Sequence, residues 1–131
     1  MKTAKLKQYT ISFIFLLAVD FVWLAVLMKD FYDMQFSVFE RTLVVWSAAL
    51  AWILIPLGIV LFVLPLSKKI SDAAKNGAFY GLILYGVYDL TNYATLAKWP
   101  MGLVIVDTLW GTFLCLLTSV MVFGLSKKWN L

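Results

Sequence analysis

The sequence predicts an all-α fold, an integral membrane bundle of four transmembrane helices with both termini on the cytoplasmic side. Three observations lead there. Hydrophobic residues make up 63% of the chain and charged residues only 14%, with a mean hydropathy of +0.92, a balance suited to lipid rather than water as the solvent. The apolar residues gather into four stretches of about 20, each able to cross roughly 30 Å of hydrocarbon, and no charge interrupts the run between Arg41 and Lys68. The basic residues gather at alternate span ends. Lys2, Lys5 and Lys7 precede the first stretch, Lys68, Lys69 and Lys75 separate the second from the third, and Lys127 and Lys128 follow the fourth. The other two connections hold only Lys29, Arg41 and Lys98, so the positive-inside tendency puts both termini in the cytoplasm.

The whole chain, residues 1–131, reads as a single four-span domain with spans at about 8–28, 42–64, 76–97 and 102–125. All four are helical, because lipid offers no partner for unpaired backbone groups. The first follows a basic segment as a secretory signal does, but its apolar run is long, contains Asp20 and ends without a small-residue cleavage site, so it reads as a retained span. The connection "KDFYDMQFSVFER" is too aromatic for a solvated loop, and its Phe31, Tyr32, Phe36 and Phe39 read as a lid or an interfacial anchor. Pro56 is expected to bend the second span. The third opens on Gly77 and Gly81, a Gly-xxx-Gly spacing that admits a close helix neighbour, within the monomer or in a dimer. "KWPMG" then forces an antiparallel hairpin at Pro100, with Trp99 at headgroup level.

Acids inside apolar segments carry the functional signal. Asp20 stands nine residues before Lys29, and Asp89 nine before Lys98, each about 13 Å below the outer end of its helix at 1.5 Å per residue. Asp107 enters from the opposite direction, five residues after Gly102, about 8 Å below the same surface. All three are therefore expected in the outer half of the bilayer. Residues three or four apart share a helix face, which groups Asp20 with Trp23, Asp107 with Trp110 and Gly111, and Asp89 with Tyr85, Asn92 and Tyr93. Thr108, Thr112, Cys115 and Ser119 add a stripe of small side chains on the fourth span. The predicted polar binding cluster is Asp20, Trp23, Tyr85, Tyr88, Asp89, Asn92, Asp107 and Trp110.

A charged Asp at a helix centre costs about 2.5 to 3.5 kcal/mol on insertion scales, so the acids need relief. No Lys or Arg lies within a span. Proton uptake, Asn and Tyr hydrogen bonds, or a bound cation remain, with Arg41 expected to reach Asp107 as an ion pair. Close carboxylates that cannot all ionise titrate as a group and accept a proton or cation, and Trp23 and Trp110 offer faces to an organic cation.

The chain has no His, which removes imidazole catalysis and His-metal sites, and no Walker loop, nucleophile elbow or Cys-x-x-Cys. An oxygen-rich site for a hard cation stays open; no motif fixes its ligands or names a cofactor. The lone Cys115 lies inside the fourth span and permits no intrachain disulfide. The net charge of +4 belongs to lysines at span ends, which suits an anionic lipid surface rather than nucleic acid.

Along nearly its whole length, through "LAVDFVWL", the "FY" of Phe31 and Tyr32, "YDLTNYATL", "WP" and "VDTLWG", the chain resembles a family of small bacterial membrane proteins catalogued as domain of unknown function 2177. The resemblance implies a four-span protein of a bacterial inner membrane and marks Asp20, Trp23, Tyr88, Asp89, Thr91, Asn92, Trp99, Pro100, Asp107, Trp110 and Gly111 as matching positions; it implies no reaction. The leading function is binding or transport of a proton, a cation or a small polar or cationic ligand. Four short spans enclose little volume, so a transport path calls for a homodimer. A lipid-acting enzyme or accessory subunit with one ionised and one protonated Asp, and a structural partner of another membrane complex, are the competing readings.

Overall fold

The computed structural model of the protein describes residues 2–130. Helix accounts for 84% of the chain, and no strand occurs among the described residues, so the all-α expectation is met. Five α-helices follow in order: α1, Lys2–Val22; α2, Lys29–Gln35; α3, Val45–Gly58; α4, Ile70–Thr95; and α5, Met101–Lys128. A π-turn at Trp23–Leu27 prolongs α1. A second, Ile59–Val63, with a 3-10 turn at Leu64–Leu66, prolongs α3.

Three helical stretches among the described residues, rather than the expected four, are both long and apolar enough to cross a membrane: Lys2–Leu27, Val45–Leu66 and Met101–Lys128. The segment expected at 76–97 belongs to α4, whose 26 residues reach about 39 Å at 1.5 Å per residue. Its mean hydropathy falls short because Asp72, Lys75, Asn76, Asp89 and Asn92 are spread along it. The helix also starts earlier than expected, since the Asp72 carboxylate accepts the backbone N–H groups of Lys68 (3.1 Å) and Lys69 (3.2 Å) and closes its first turn.

Pro56 sits inside unbroken α3, and the irregular turn comes after it, at Ile59–Val63. The proline lacks the N–H that would return to Trp52. Side chains add donors nearby: the Tyr9 hydroxyl donates to the Ile53 carbonyl (3.2 Å) and the Tyr80 hydroxyl to the Ile55 carbonyl (3.2 Å), which also accepts the Ile59 N–H. Both bonds tie a neighbouring helix to the proline turn, which suits an interior where water is scarce.

The hairpin at Pro100 forms as expected, and α4 and α5 pack along their lengths. Gly77 and Gly81 are what lets them. A methyl group on Gly77 would stand 2.5 Å from Ser119 Oγ and 2.7 Å from the Cys115 carbonyl, and one on Gly81 would press on the Gly111 carbonyl. The Gly-xxx-Gly face is thus occupied within the monomer. The main core joins α1, α5 and the turns that prolong α3, with Leu16, Ile59, Leu114 and Val122 fully buried; a second cluster, Tyr32, Trp99, Leu103 and Val104, closes the far end.

Candidate functional site

At that end the helices enclose a cavity of about 490 Å³, within the range of small-molecule sites. Asp20 and Asp107 reach it from α1 and α5, Trp52 from α3, Tyr85 and Tyr88 from α4, and Tyr32 from α2. Each carboxylate has a different environment.

Asp20 is clamped. Its Oδ2 accepts the Trp52 indole N–H at 2.9 Å and its Oδ1 the Trp110 indole N–H at 2.9 Å, and the residue is buried. The π-turn beginning at Trp23 sets that ring flat on Trp110, centroids 4.1 Å apart and planes within 3°. The stack holds the indole that holds the carboxylate, as offset aromatic pairs do.

Asp107 has one donor. The Tyr32 hydroxyl donates to its Oδ1 at 2.7 Å while accepting the Trp23 indole N–H at 3.2 Å. Burial, then the Asp107 hydrogen bond and charge, push the Tyr32 hydroxyl above its ordinary range, so it remains a donor. Asp89 has none. It is fully buried, and neither oxygen meets a hydrogen-bond partner among the described residues. Beside it lie the Asp107 carboxyl and the Trp99 indole N–H, itself without an acceptor.

The predicted cluster divides on this geometry. Asp20, Tyr85, Tyr88 and Asp107 line the cavity; Trp23 and Trp110 stand behind it as supports; Asp89 lies behind Asp107. Asn92 does not line the cavity and lies near Tyr88. The ion pair expected between Arg41 and Asp107 does not form. Arg41 turns instead to Asp33 at 2.9 Å, which also holds Lys29 at 2.6 Å, while Asp107 Oδ1 accepts the Tyr32 hydroxyl. Among the described residues no group of three His, Cys, Asp or Glu is placed to hold a metal ion.

The Asp33 pairs are fully exposed. Lys29 first, then Arg41, hold the Asp33 carboxyl below its ordinary range. Any stabilisation is therefore present above the ordinary carboxylate pKa and lost as pH falls through the lowered one. Exposed pairs are screened and weak. Asp33→Asn is expected to leave the melting temperature in detergent unchanged; a clear fall would show that α2 depends on these pairs.

Two site residues escaped the sequence reading. Trp52 stands seven residues after Val45 at the start of α3, about 10 Å into its helix; its indole N–H needed an acceptor there, and that was the available signal. Tyr32, expected as part of a lid or an interfacial anchor, is buried on Asp107. Trp99, expected at headgroup level, is buried under Phe36 and Phe39, with ring centroids 5.8 and 5.7 Å away. The aromatic connection therefore covers this end of the cavity.

Among known proteins, the family model described as "Predicted membrane protein (DUF2177)" matches residues 5–124. No curated protein and no solved structure matches the chain. With the match running through every element that builds the cavity, the chain belongs to this family of predicted membrane proteins.

Proposed function

We propose that the protein crosses a bacterial inner membrane four times, with both termini cytoplasmic, and binds or transports a cation or small cationic ligand at the acid-lined cavity in the outer half of the bilayer. Treating α4 as the fourth crossing is supported by how its residues are distributed. Gly77, Gly81, Gly86 and Asp89 are buried, while Phe79, Ile83, Val87 and Leu90 are exposed. The outward face is thus apolar, and the polar residues that lower its hydropathy near the site point inward.

The observation that carries the binding reading is that Asp20 and Asp107 line a cavity without Lys or Arg, and that Asp89, fully buried with both oxygens unpartnered, lies behind Asp107. Buried carboxyls in that position take a proton or a cation. The titratable groups lining the site are Asp20 from α1, Tyr32 from α2, Tyr85 and Tyr88 from α4, and Asp107 from α5, with Asp89 of α4 behind Asp107. Protons and cations compete for the same oxygens, so cation affinity falls as pH falls.

The test is titration of purified protein in nanodiscs with Na⁺, K⁺ and ammonium ions from methylammonium to tetraethylammonium, followed by tryptophan fluorescence. At least one is expected to bind, more weakly at acid pH, with binding reduced about tenfold or more in Asp107→Asn and Asp89→Asn. Folded variants that respond like the parent, or silence toward every cation, would remove the proposal.

A further inference from the structure

The cavity has a side as well as an end. Near its C-terminal end α3 meets α4, where Tyr80 lies against Gly58 and donates to the Ile55 carbonyl, and contact continues through Ile59–Leu66. Toward the α3 N-terminus the cavity itself lies between the two helices, walled by Ala48, Ala51 and Leu54 on one and Leu84 and Tyr88 on the other. Leu54 is 58% exposed and Tyr88 56%. In a bilayer this edge faces acyl chains.

Three properties of the site then specify what fits. Its walls are aliphatic and aromatic, so the occupant has an apolar body. Its carboxyls, Asp20 and Asp107, with unpartnered Asp89 behind, face no basic side chain, so the reacting end is a cation. Trp52, Tyr85 and Trp99 present rings around the same space, a setting that favours a positively charged nitrogen over a hydrated metal ion, and the carboxyls do not converge as metal ligands do.

We infer that the ligand is a lipophilic amine, dissolved in the bilayer and entering sideways between α3 and α4, its ammonium reaching Asp107 and its apolar body remaining among Leu54, Leu84 and Trp52. This rests on the cation-binding reading and adds the ligand class and the route. The small side chains at Ala48 and Ala51 keep the mouth open.

The inference is tested in nanodiscs of zwitterionic lipid with a long-chain alkylamine brominated on its tail, whose bromine quenches nearby tryptophans. The matched brominated alcohol supplies the background from exposed Trp46 and Trp129. Quenching by the amine is expected to exceed that by the alcohol, and the excess should disappear in Asp107→Asn. Ala51→Phe and, as a milder obstruction, Ala48→Leu should weaken the excess about tenfold. Equal quenching by alcohol and amine, an undiminished excess in both mouth variants, or methylammonium binding as tightly as the long amine would overturn the inference while small-cation binding stands. Absence of binding by small and long cations alike overturns the wider reading and this one together.

Discussion

Asp20→Leu is expected to destabilise the protein by about 2–4 kcal/mol, because two indole N–H groups lose their shared acceptor at once and each orphaned buried donor costs about 1–3 kcal/mol. The Trp52 and Trp110 bonds are both 2.9 Å and join α3 and α5 to α1 through one side chain. Membrane hydrogen bonds measured singly are often weaker, since the unfolded chain in lipid also finds partners, which is why the lower end of the range is included. The check is loss of helical ellipticity on titration with a denaturing detergent. Adding Trp52→Phe to Asp20→Leu should recover part of the loss, because removing both members of a buried polar pair is milder than removing one. Unchanged stability in Asp20→Leu would mean that the clamp does not hold these helices. The contrast with Asp89 is informative: one acid has every oxygen met and acts as interhelical glue, while the other has none met.

Gly81→Leu is expected to cost as much or more. Overpacking costs about 1–3 kcal/mol when neighbours can yield, but here the neighbour is backbone. A Cβ at Gly81 presses on the Gly111 carbonyl and approaches Cys115 Cβ to 2.9 Å, so α4 and α5 must separate. Tyr85, one turn along, would leave its place over Gly111, and the cavity would lose a wall. Gly124 is the control: nothing lies within 4 Å of a Cβ placed there, and Gly124→Ala should hold or gain up to about 1 kcal/mol through helix propensity. Thermal unfolding in detergent checks both, and a Gly81→Leu protein as stable as the Gly124→Ala protein would contradict the backbone contact.

How far the fold could be read beforehand depended on which property each element expressed locally. The stretches around Leu16, Ile53 and Leu114 are long and, on average, apolar enough to cross a membrane, and a window along the sequence detects that. α4 was harder, because its hydropathy averages a polar inward face with an apolar outward one; a window sums the two, whereas the fold separates them. The three acids could be assigned similar depths by counting at 1.5 Å per residue, yet the same count could not rank them.

The chain by itself determined helices suited to lipid, a hairpin at Pro100 and carboxylates at matching heights, because hydropathy, proline chemistry and helix rise act within a few neighbouring residues. Only the tertiary structure decided that Trp52 and Trp110 saturate Asp20, that Tyr32 meets Asp107 while Arg41 pairs with Asp33, and that Asp89 stays unpartnered. Those outcomes depend on which side chains from distant segments reach one oxygen first, a competition settled by helix packing over Gly77, Gly81 and Gly111.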